Sequence, residues 1–132
     1  MTVTANTSAA NAALDAVADL MDGATLTIRS GAAPGAGATA TGTVLAEITC
    51  PTPAFAAASG SVAKAGTWED ASADASGVAA HWRLVATGGA VLEGTVTATG
   101  GGGDMTVGNT TLSSGNPFTV TSFAITLTNL DV

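Results

Sequence analysis

Between Gly77 and Ala98 the chain reads GVAAHWRLVATGGAVLEGTVTA, two runs that alternate with period two on either side of a Gly-Gly turn. A helix would scatter the apolar residues of such runs around its cylinder, whereas a strand collects them on one face. Ala80, Trp82, Leu84 and Ala86 share one parity, and His81, Arg83 and Val85 share the other. Thr87-Gly88-Gly89-Ala90 supplies residues that accept positive φ, as two-residue hairpin turns demand. The stretch therefore predicts a hairpin with Trp82 and Leu84 in the core and His81 and Arg83 facing solvent or a neighbouring subunit. Glu93 has the same outward parity as Arg83, so the two can pair across the hairpin. An exposed pair of this kind stabilises by at most about 1 kcal/mol.

The rest of the chain is punctuated in the same way, with one exception. Residues 8–22, SAANAALDAVADLMD, place Ala10, Ala13, Leu14, Val17, Leu20 and Met21 at spacings of three and four, which predicts a short amphipathic helix. Ser8 or Thr7 suits its N-cap and Gly23 its C-terminal stop, with Asp15, Asp19 and Asp22 on the wet side. Strands are expected over 24–30 (ATLTIRS), with one wet face, and over 43–50 (TVLAEITC). Between them, GAAPGAGATATG at 31–42 reads as an exposed or partner-contacting loop. It lacks the third glycine, the Lys-Ser/Thr pair and the following helix of a phosphate-binding loop. Pro51 and Pro53 enforce an extended passage to Phe55. Residues 59–68 read as a turn and short strand, 69–77 as an acidic loop, and 99–105 (TGGGGDM) as a flexible turn. In FTVTSFAITLTNL the apolar parity changes near Thr121-Ser122, from Phe118 and Val120 to Phe123, Ile125 and Leu127. Either a bulge lies there or the strand crosses between sheets.

One helix followed by seven to nine short strands predicts a mainly β protein: an antiparallel β-sandwich, jelly-roll-like, with a short N-terminal amphipathic helix. The 132 residues fit a single domain spanning 1–132. Apolar residues are 46% of the chain but aromatics only 4%, with no Tyr, so the core is expected to be built largely from small side chains. Part of the stability is then expected from oligomeric or lattice contacts. With three cations (Arg29, Lys64, Arg83) against ten carboxylates and a net charge of −7, the chain cannot neutralise many phosphates. Nucleic acid and anionic membranes are thus excluded as expected partners, and a basic protein surface is favoured. The opening MTVTANTSAANA has neither a basic segment nor an apolar core, and no apolar run reaches the roughly 20 residues that span a bilayer. A soluble chain made in the cytoplasm is expected.

Chemistry-bearing residues are scarce. His81 is the only imidazole, and there is no GxSxG elbow to set a nucleophile beside it. One His and one Cys cannot close a zinc site. Glu69, Asp70 and Asp74 lack EF-hand spacing, and the other acids have no aromatic platform of the kind glycoside hydrolysis uses. Cys50 has no partner for a disulfide and reads as a small buried hydrophobe. No catalytic, cofactor-binding or metal-binding residues are assigned, and no enzyme is expected.

The order of the motifs adds to this. A helix ending in Gly is followed by TLTIRSGAAPGAGATATGTVLAEI, then TPAF, AAHWRLVATGGAVLEGTV and the closing FTVTSFAITLTN. Over residues 9–130 this order resembles a family of small virion structural proteins of tailed bacteriophages. The resemblance implies a non-enzymatic decoration or cement protein on the capsid surface of the virion. Its partners would be the major capsid protein and copies of itself, in a multimeric array, with helix 8–22 and loop 31–42 as contact elements. The alternatives are a tail or head-to-tail component, or a glycan- or receptor-binding module that stacks its ligand on Trp82 or Trp68.

Overall fold

The computed structural model describes residues 5–126. Helix α1 runs from Thr7 to Leu20. Its N-cap is Asn6, one residue before the expected Thr7 or Ser8, and the Asn6 carboxamide oxygen accepts from Ala9 N at 3.0 Å. Gly23 takes positive φ (69°) in the turn that leaves the helix. The buried stripe is narrower than the sequence suggests. Leu14, Ala18 and Met21 are buried, whereas Ala13 and Leu20 are exposed. The helix is held as much by polar bonds as by that stripe. Asn11, Asp15 and Asp22 accept the backbone N–H groups of Gly60, Ala58 and Ala54 at 2.9, 2.7 and 2.8 Å. Asp15 and Asp22, expected on the wet side, are therefore tethers.

The strands are β1 (Thr25–Arg29), β2 (Val44–Thr49), β3 (Ser61–Ala63), β4 (Glu69–Asp70), β5 (Gly77–Val78), β6 (His81–Val85), β7 (Val91–Ala98), β8 (Met105–Val107), β9 (Thr111–Leu112) and β10 (Phe118–Thr126). Eight of them form one sheet in the order β2-β1-β6-β7-β8-β10-β3, with β4 also paired to β10, while β5 and β9 make a separate two-stranded ribbon. The protein is mainly β, but its sheet is a curled half-barrel of mixed direction and not the antiparallel sandwich expected. The mixed direction arises at one place, where β7 and β8 pair in parallel with Val96 opposite Met105 and Ala98 opposite Val107. Parallel neighbours ordinarily need a long crossover. Here residues 99–104 double back within a tight coil, closed by the Gly103 N–H donating to Thr97 Oγ1 at 3.0 Å. A Cβ at Gly101 or Gly103 would come within 2.7 or 2.8 Å of the Thr97 side chain, so this coil requires glycine.

The central hairpin forms with Trp82 opposite Gly94 and Val85 opposite Val91. Its turn has three residues instead of two. Ala86 N–H donates to Ala90 O, and Gly89 supplies the left-handed residue (φ 94°) that such a loop uses before re-entering the strand. In β10 the parity change is a bulge, because pairing with β8 slips between Val120 and Ser122. The slip keeps Phe118, Val120, Phe123 and Ile125 all on the core side. Leu127 lies outside the described residues.

The core gathers more aromatic mass than the composition suggests. Phe123 lies 4.7 Å from Trp82, 5.6 Å from Phe55 and 5.8 Å from Trp68, centroid to centroid, and Phe55 meets Trp68 edge-on at 5.4 Å. Both sheet edges are closed. Asp74 and Ala75 donate to Leu45 O, and Glu47 N–H donates to Asp70 Oδ2 at 3.0 Å, so the 70–75 segment caps β2. Residues 54–59 line β3, through Ala56 N to Ala63 O and Ser59 N to Ser61 O.

Candidate functional site

The rare residues meet on the face of β1, β6 and β7 that the sequence assigned to solvent. Antiparallel register sets Arg29 opposite His81, His81 opposite Thr95, Thr27 opposite Arg83, and Arg83 opposite Glu93. His81 is 1% exposed and Arg83 8%, so the expectation that they face solvent is overturned. What covers them is the segment 31–42, hereafter the strap. It leaves the sheet after β1 and returns into β2. At its base, Ser30 N–H donates to Thr43 O and Thr43 N–H donates to Ser30 Oγ.

The strap has no charged side chain and is bound through its backbone. Arg83 Nη2 donates to Ala38 O at 2.8 Å and to Ala36 O at 3.3 Å. Arg83 Nη1 donates to Glu93 Oε2 at 2.7 Å, and the other Glu93 oxygen accepts from Gly35 N at 2.6 Å. Arg29 Nη1 reaches Thr41 O at 3.3 Å, and Arg29 Nε donates to Thr27 Oγ1. His81 Nδ1 lies 2.7 Å from Gly31 O, so that nitrogen carries the proton and donates. The strap closes on the ring again at Gly42 (φ 76°), where an added Cβ would overlap Ser30 O and stand 3.6 Å from His81 Cε1. The Arg83–Glu93 pair is present as the sequence expected, but its side chains are only 9% and 3% exposed. Its energetics are those of a buried pair, where stripping one partner is costly.

Among the described residues, two buried side-chain atoms have no hydrogen-bond partner, His81 Nε2 and Trp82 Nε1. The Trp82 ring lies over Gly94, whose added Cβ would come within 2.7 Å of it and 2.5 Å of Asp104 Oδ2. Asp104 itself accepts from Thr95 N at 3.2 Å.

This arrangement holds backbone and offers no reacting atom an approach. Arg83 and Glu93 spend their polar atoms on each other and the strap, and the imidazole is sealed from water. Asp70, from the acidic loop, accepts from Glu47 N and Ser72 N. Among the described residues no three His, Cys, Asp or Glu side chains gather as a metal would need. Cys50 is buried, and burial pushes its thiol up to about 12 from the ordinary range near 9. Trp68 and Trp82, 0% and 4% exposed, have no free face on which a sugar could stack. A half-open cavity of about 430 Å³ lies between β9 and β10, lined by Asn109, Asn116, Thr119 and Thr121 without a charged group. A groove of about 400 Å³ runs between Lys64 and Asp104.

The strap's cover was the element that sequence reasoning missed. The signal for it was electrostatic: Arg29, His81, Arg83 and Glu93 share one face of adjacent strands, next to a long segment with no charge. No protein-family model matches the chain, no curated protein is similar to it, and no solved structure matches its fold.

Proposed function

We propose that the chain is a non-enzymatic structural component of a tailed-bacteriophage virion, a decoration or cement protein that binds the assembled shell and stabilises it. The strap carries this reading. Twelve residues of Gly, Ala, Pro and Thr lie over the sheet, mostly exposed, with their backbone fixed by two guanidiniums, a carboxylate and an imidazole. A buried ionic network that holds a flat surface free of bulky side chains suits extended contact with another protein.

Three observations agree with it. The order of motifs resembles that of small phage structural proteins. Both sheet edges are capped, so assembly by strand addition is blocked and contact passes to faces, which favours defined arrays over open-ended fibres. A net charge of −7 suits a basic surface on the major capsid protein. The role does not depend on two packed antiparallel sheets, since it asks only for a folded surface that holds the strap in place. Copies arrayed on the outside of a shell would gain by avidity what each contact lacks.

The test is binding of the purified chain to phage shells stripped of small accessory proteins, followed by electron microscopy. Regular density on the shell lattice supports the proposal, and rings or tubes would move the chain to the tail or connector. A protein that stays monomeric and leaves shells bare would end it.

A further inference from the structure

The one imidazole is built into the strap's seat in a form that leaves no room for a second proton. Nδ1–H is committed to Gly31 O, so an added proton would sit on Nε2, which is sealed from solvent and has no acceptor. The charged groups around the ring make matters worse for a cation. Arg29 stands directly opposite on β1 and Arg83 two residues along the same face of β6. Glu93 on β7, opposite Arg83, carries a compensating charge, but both of its oxygens are taken, by Arg83 and Gly35. Asp104, at Thr95 across from His81, is taken by Thr95 N. The strap itself contributes no charged side chain.

We propose that the strap is an acid-released latch, docked only while His81 carries a single ring proton. A proton taken from solvent onto Nε2 and a strap seated over β1, β6 and β7 exclude each other. Lifting the strap frees Nε2 to water, which then solvates the imidazolium and screens it from the guanidiniums beside it on the sheet. The open state then binds one more proton than the docked state, so acid favours opening. This inference concerns the strap alone and stands apart from the virion role.

Nuclear magnetic resonance on the ¹⁵N-labelled full chain between pH 7.5 and 5.0 tests it. Imidazole ¹⁵N shifts report the ring, and the exchange protection of the Gly35 amide reports the strap. Ring protonation and loss of Gly35 protection should coincide, with opening growing as the pH falls by up to about tenfold per pH unit. His81→Asn keeps a donor near the Nδ1 position but cannot titrate, and its strap should stay protected throughout. A doubly protonated ring beneath a protected Gly35 would overturn the proposal. So would no change in ring or strap down to pH 5.0, or the same opening in His81→Asn, which would transfer the release to Glu93. If His81→Asn does not fold, the coincidence of ring and strap in the unaltered chain decides alone.

Discussion

Replacing Arg83 by Met and Glu93 by Gln, singly and together, measures what holds the strap. Arg83 Nη1 and Glu93 Oε2 are 2.7 Å apart with side chains 9% and 3% exposed, so either single change leaves a charge or its acceptors stranded. Removing one partner of a buried pair costs about 3–5 kcal/mol. The strap's own residues are mostly exposed, so it can lift and admit water, which sets the expected loss for each single variant at the lower end, about 3 kcal/mol. Gln at 93 still accepts from Gly35 N–H, so the double variant isolates the charge contact from the strap bond. The coupling between the two sites should then be about 2 kcal/mol. Urea denaturation of the four proteins, with slopes compared so that only stability changes are counted, supplies the cycle. A coupling below about 0.5 kcal/mol would place the pair among exposed ones and refute the argument that the strap encloses it.

Trp82→Ala should destabilise by about 3–5 kcal/mol in thermal or urea unfolding, because it empties the contact with Phe123 at 4.7 Å. His81→Ala, which a solvent-facing ring would tolerate, should cost about 1–2 kcal/mol in the same assay through the lost bond to Gly31 and the hole beneath the strap. Gly94→Ala should cost more than about 2 kcal/mol because its Cβ runs into Trp82, whereas Gly88→Ala, with open space around it, should shift the midpoint little. Cys50 should resist thiol reagents at pH 8 until the chain unfolds. Because its folded thiol holds its proton up to about 12, its contribution is intact below pH 9 and declines as pH rises from 9 towards 12. Cys50→Ala should flatten that alkaline decline in stability.

What the sequence disclosed was local periodicity, and what it withheld was coverage. Trp82 and Leu84 were placed correctly because alternation alone separates the two faces of a strand. The parity change near Thr121-Ser122 was visible for the same reason, but it allowed either a bulge or a crossing between sheets, and the pairing with β8 makes it a bulge. His81 and Arg83 were misplaced because alternation says which residues share a face but not what lies on it, and a loop of small residues carries no periodic signal. The helix shows the same limit: its acids looked solvated because carboxylates usually are, and nothing local indicates that Ala54 and Ala58 bring N–H groups to them. The parallel pairing of β7 and β8 was hidden in glycines that a turn would use equally well. Of the candidate site, the Arg83–Glu93 contact was legible and its burial was not.

β10 joins β8, β3 and β4, and its Phe123 is the residue on which Trp82, Phe55 and Trp68 converge. The half of the sheet made by β1, β2, β6 and β7 can pair as soon as residue 98 has been synthesised, but the aromatic side chains acquire their common neighbour only 25 residues later. During translation the nascent chain therefore carries two tryptophans and a phenylalanine with no complete core to enter. That interval is when the protein is most exposed to association with its own kind.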